Sequence, residues 1–132
     1  MSNERITVAE LTAAPGSPLA TLRDKVMSKP GVSEEQPFGP SALVYKIGGK
    51  MYALIAWRAD PLRVSLKCDP FQAEAMRDQF ESIQPGYHLN KRHWNTVILD
   101  GSVPAFLIDH MLDQSYALVR EKLPRRVRET LT

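Results

Sequence analysis

Two adjacent glycines, Gly48 and Gly49, separate residues 42–47 (ALVYKI) from residues 51–58 (MYALIAWR), and that arrangement restricts the fold more than anything else in the chain. Glycine enters positive φ without a steric cost, and a two-residue turn with positive φ at both positions has the twist that lets two strands continue as a hairpin. The flanks are rich in β-branched and aromatic residues, so a β-hairpin is predicted. Asp60-Pro61 then turns the chain into residues 62–67, where Leu62, Val64 and Leu66 alternate with Arg63, Ser65 and Lys67. Successive strand side chains point to opposite faces, so this third strand has one apolar and one basic side. An antiparallel sheet of such strands can pack one face on helices and leave the other to solvent.

The segments around these strands supply the helices. Ser17 can cap a helix that takes Pro18 at its first position, and Leu19, Leu22 and Val26 recur at helical spacing until Lys29-Pro30-Gly31 ends it. Residues 32–41, with Glu34, Glu35 and Pro37-Phe38-Gly39-Pro40, are predicted as a loop. Asp69, Pro70 and Gln72 start a second helix, with Phe71, Ala75, Met76 and Phe80 as its buried stripe. A short strand is expected within residues 83–87, interrupted by Pro85-Gly86, and another over residues 94–99, closed by Asp100-Gly101. Ser102 is expected to cap a third helix, whose Leu107, Ile108, Met111, Leu112, Ser115, Leu118 and Val119 draw one continuous face. Pro124 restarts a short basic helix. Residues 1–16 read as an N-terminal arm with a helical turn over residues 7–14, and residues 17–132 as a single domain.

At 132 residues, one domain buries roughly two-thirds of its unfolded surface and needs neither disulfide nor metal to hold together. No apolar run approaches the roughly 20 residues of a membrane-spanning helix. Cys68 is the single cysteine, and no basic stretch followed by an apolar one opens the chain, so a cytoplasmic location is expected. A net charge of +2 is too small to identify a nucleic-acid-binding chain, so only the placement of charge can speak for one. That placement is uneven: residues 42–68 carry an excess of four positive charges, and residues 69–81 an excess of three negative ones.

The candidate site is residues 86–101, GYHLNKRHWNTVILDG. His88, Asn90, Lys91, Arg92 and His93 crowd a predicted turn, Trp94 opens the following strand, and no acidic residue lies between Tyr87 and Leu99. A polyanion would meet Lys91 and Arg92 there without local repulsion. The plainer reading is a solvated turn with Trp94 in the core. His88 and His93 have no Cys or carboxylate at ligand spacing, so no metal or other cofactor is expected. Nucleotide-loop, esterase and zinc-protease signatures are missing. His110, three residues before Asp113, is a general-base pairing of a kind common on helix surfaces, and no enzymatic activity is expected.

Three stretches resemble the MmcQ/YjbR family of small bacterial proteins: KPGVSEEQPFGP (29–40) with LVYKIGGKMYAL (43–54), VSLK (64–67) leading into Asp69-Pro70, and PGYHLNKRHWNTVILDGSVP (85–104). The resemblance covers residues 19–123. It implies a two-layer α+β sandwich in the order α-β-β-β-α-β-β-α, with an antiparallel sheet of about five strands and helices on one face. Such a fold is similar to frataxin-like and secretion-chaperone-like domains. The family is described as DNA-binding, with a "double wing" architecture, so DNA is the expected partner of a monomer or weak homodimer. Motif positions imply Lys67, His88, Asn90, Lys91, His93 and Trp94 as site residues, and Arg63 and Arg92 join them as basic neighbours. On that reading Arg63, Lys67, Lys91 and Arg92 meet phosphates, Asn90 and the histidines hydrogen-bond, and Trp94 stacks or supports the turn. The alternative is a protein- or peptide-binding module, with an apolar patch near Trp57 or Trp94.

Overall fold

The computed structural model describes residues 16–131; the expected arm, apart from Gly16, lies outside the described residues. In chain order the elements are α1 (Pro18–Met27), β1 (Ser33–Glu35), β2 (Leu43–Ile47), β3 (Lys50–Ala56), β4 (Arg63–Lys67), α2 (Pro70–Gln79), β5 (Ile83–Pro85), β6 (Trp94–Ile98), α3 (Ala105–Glu121) and α4 (Arg125–Glu129). The strands form one six-stranded antiparallel sheet in the order β1-β2-β3-β4-β6-β5. The α+β fold is as expected, but the sheet is wider than the five strands anticipated. The addition is β1, inside the stretch read as a loop, where Ser33, Glu34 and Glu35 pair with Lys46, Tyr45 and Val44. Three residues containing two glutamates show no apolar alternation. The strand exists because Glu34 has partners on the inner face.

Local chemistry explains most boundaries. Gly48 and Gly49 have φ of +53° and +83°, the left-handed pair that the hairpin turn requires. Ser17 Oγ accepts the Ala20 N–H at 3.1 Å, and the Asp69 carboxylate accepts the N–H groups of Phe71 and Gln72. Ser102 does not cap α3; Pro104 takes that position without a side-chain bond, while Ser102 turns back to Asp100 and Ser82. Phe71 is not part of a buried stripe, being 83% exposed. Ala73 is the fully buried residue of α2, and two helical residues subtend roughly 200°, so Phe71 is carried to the outside.

The register builds the core. Leu43 pairs with Ile55, Ile55 with Val64, Val64 with Val97 and Val97 with Ile83, an apolar row across five strands. A register shift after Tyr45 leaves Tyr52 as an extra residue in β3. Its hydroxyl donates to the Val26 carbonyl of α1, and its ring meets Tyr116 of α3 edge-on at 5.5 Å. Beside this bulge the β3–β4 pairing stops at Ala53–Leu66. Ser115 of α3 fills the gap: its buried Oγ donates to the Tyr52 carbonyl at 2.6 Å and accepts the Lys67 N–H at 2.9 Å. On α2, the Ala73 carbonyl accepts from Asn95 Nδ2 of β6. All three long helices therefore lie on one face.

The second face carries the alternate residues. Val44, Leu54, Ser65, Thr96 and Gln84 run across it in register, flanked by Ala56, Arg63 and Ile98 on one side and by Lys67 and Trp94 on the other. Among the described residues, no helix is long and apolar enough to cross a membrane.

Candidate nucleic-acid interface

Arg63, Ser65 and Lys67 share the side of β4 turned away from the helices, where Ser65 is buried and the two cations are half-buried, and the strand rise sets Arg63 and Lys67 roughly 13 Å apart. Between them the hydroxyls of Ser65 and Thr96 share a hydrogen bond of 2.7 Å. Neither cation is in an ion pair among the described residues, whereas Lys46 on the same face pairs with Glu35 at 3.2 Å. Arg63 Nε is buried without a hydrogen-bond partner among the described residues. Burial, and then the nearby charges of Lys122 and Lys50, push the Lys67 amine below its ordinary value.

Residues 86–93 fold as a self-bonded loop. Gly86 still pairs with Trp94, its N–H donating to the Trp94 carbonyl at 2.9 Å, and a Cβ at this position would lie 2.7 Å from that of Trp94. Only glycine fits. The Leu89 N–H donates to the Gly86 carbonyl, Asn90 Oδ1 accepts the Arg92 N–H at 2.9 Å, and the His93 N–H donates to the Asn90 carbonyl. The His93 carbonyl accepts the Cys68 N–H at 2.7 Å, tying the loop to the end of β4.

These bonds sort the candidate residues. Asn90 uses its side-chain oxygen to make the turn. Trp94, 9% exposed, supports the loop and offers no face for stacking. His93 is half-buried, and its backbone provides both bonds just described. Lys91 Nζ folds back onto the Gly86 carbonyl at 3.1 Å. With Arg92 it lines a groove of about 460 Å³ that also contains Asp69, Glu74 and Phe71. Lys91 and Arg92 thus meet acidic neighbours from α2, contrary to the repulsion-free surface suggested by residues 87–99 alone. Lys67 and Arg63 lie half-buried on the sheet face turned away from the helices. His88 is exposed, with φ of +60°, and its ring lies 4.0 Å from that of Tyr87. Asp113, the partner considered for His110, is ion-paired with Lys29.

The residue missed by sequence reasoning is Arg77. From α2 its Nε donates to Asn95 Oδ1 at 2.7 Å, and its Nη2 donates to the carbonyls of Lys91 and Trp94. One guanidinium thus clamps the loop to β6 and α2. The signal was present: Arg77 is the sole cation of residues 69–81 and lies four residues after Ala73, on the same helical face.

At the far end of β6, Asp100 accepts from the hydroxyls of Ser102 and Ser82, which hold its carboxyl at about 2, below the ordinary 3.8. A depressed folded value gives stabilisation that is present above the unfolded pKa and is lost as pH falls through the folded one. The tie between the β6 end and the start of β5 is therefore expected to weaken from about pH 4 to about pH 2. Asp100→Asn should flatten that part of the melting temperature against pH curve; an unchanged acid limb would show that the carboxylate contributes nothing.

Comparison with known proteins bears on the family and the fold. The family model YjbR matches residues 27–118. The chain is 34% identical over 113 residues to uncharacterized protein YjbR of Escherichia coli K12, covering 86% of this chain and 96% of that protein. It is 33% identical over 106 residues to uncharacterized protein YbdF of Escherichia coli O157:H7, covering 80% and 87%. Among solved structures, Deinococcus radiodurans protein DR2400 is similar with a TM-score of 0.82 and 44% identity over 89% of this chain and 90% of that one. A Pseudomonas syringae protein is similar with a TM-score of 0.66 and 26% identity, over 76% and 97%.

Proposed function

This chain belongs to the YjbR family, and from that premise we propose that it is a non-enzymatic nucleic-acid-binding domain that meets the phosphate backbone through Arg63 and Lys67 of β4. The observation that carries the reading is the placement of Arg63 and Lys67 on the same side of β4, in no ion pair among the described residues. Cations with no paired carboxylate attract a phosphate backbone through its charge.

Salt dependence tests it. Each phosphate contact to duplex DNA adds about 0.9 to the slope of log affinity against log salt, so Arg63→Gln with Lys67→Gln should reduce that slope by roughly 1.8. Lys67→Gln alone should leave the melting temperature unchanged or slightly higher, because the fold disfavours the cation it removes. Fluorescence anisotropy with a labelled oligonucleotide measures the first and calorimetry the second. An undetectable interaction at low ionic strength, or a slope the double variant does not alter, overturns the reading.

A further inference from the structure

We infer that Tyr87 and His88 form a stacking platform for an unpaired base, so that the preferred ligand of this protein is a single-stranded nucleic acid. The inference rests on the nucleic-acid reading above and goes beyond it in naming the strand state.

Tyr87 is 66% exposed, although an aromatic ring of its size would ordinarily be covered. Its ring lies 4.0 Å from that of His88 at an interplanar angle of 49°. His88 is the single non-glycine residue with positive φ among the described residues, a conformation that side chains adopt only where the surroundings impose it. The surroundings here are rigid: Gly86 is wedged against Trp94, and the Tyr87 N–H donates to Thr96 Oγ1 at 3.0 Å. Thr96 is bonded in turn to Ser65, midway between Arg63 and Lys67. The segment that carries the aromatic pair is therefore tied through Thr96 to β4, the strand of Arg63 and Lys67.

Cations that hold a backbone beside an aromatic ring that takes a base are the combination by which proteins bind single strands. In a duplex the bases are already stacked on one another and their faces are closed to a protein ring, so the platform adds nothing there. Phosphate contacts serve both forms.

The experiment is an anisotropy titration at one low salt concentration, with a labelled oligo-dT and a duplex of equal length, using the wild type, Tyr87→Ala and Tyr87→Phe. The single strand should bind more tightly than the duplex. Tyr87→Ala should weaken single-strand binding by roughly 5- to 150-fold, leave duplex binding unchanged, and be rescued by Tyr87→Phe. A duplex bound as tightly as the single strand, or a Tyr87→Ala variant equal to the wild type on oligo-dT, overturns the inference while leaving salt-dependent binding in place. Binding of neither form overturns both readings.

Discussion

Glu34→Ala is expected to cost about 3–5 kcal/mol of folding stability, because it breaks a pair that is largely withdrawn from water. Arg23 donates through Nε and Nη2 to the two oxygens of Glu34 at 2.7 and 3.0 Å, and the Tyr45 hydroxyl donates to the same carboxylate at 2.7 Å. The Glu34 and Arg23 side chains are 9% and 19% exposed, and Tyr45 is fully buried. Truncation therefore leaves a guanidinium and a phenolic hydroxyl without their acceptor. The Tyr45 hydroxyl is pushed far above its ordinary value, by burial first and by the Glu34 bond second, so it remains a donor throughout the usual pH range. Urea denaturation measures the loss, and a cycle with Tyr45→Phe separates the two donors. A loss under about 1 kcal/mol would mean that the triad is no stronger than an exposed pair.

Arg77→Ala is expected to cost about 3–4 kcal/mol, since it removes charge-assisted bonds to Asn95 and to the carbonyls of Lys91 and Trp94 and leaves the buried Asn95 side chain without its donor. Asn95 is fully buried, so water does not readily replace the guanidinium. Arg77→Lys separates geometry from charge: an ammonium cannot serve all three acceptors in the plane of the fork. It should recover less than half of the lost stability. It should also weaken oligonucleotide binding, because the loop that carries Tyr87 hangs from this clamp. Binding by Arg77→Lys equal to the wild type would disconnect the clamp from the ligand surface.

The contrast between these residues shows what a single sequence discloses. Alternation around Gly48-Gly49 and along residues 62–67 exposes the sheet directly, because strand period and glycine's positive φ are properties of neighbouring residues. Ser17 and Asp69 announce helix starts for the same reason. Glu34 does not announce β1, since its strand depends on Arg23, eleven residues earlier, and Tyr45, eleven later. The loop 86–93 was visible as a cluster of polar side chains, but its division of labour was not. Whether Asn90 and Lys91 point outward or bond their own turn depends on backbone geometry that composition does not encode. Lys91 and Arg92 looked unopposed because the acids that face them, Asp69 and Glu74, come from α2, some twenty residues earlier in the chain. Lys67 stands out by its motif position and its place in the strand alternation; its partial burial, which lowers the amine, depends on the fold.

The two outermost strands have a consequence for how copies of this protein treat one another. β1 and β5 are each three residues long; β1 turns the carboxylate of Glu34 inward, and β5 ends at Pro85, which has no N–H to offer. A sheet bounded in this way presents too few free backbone groups to template a further strand. Crowding in concentrated solution should therefore not zip neighbouring molecules edge to edge.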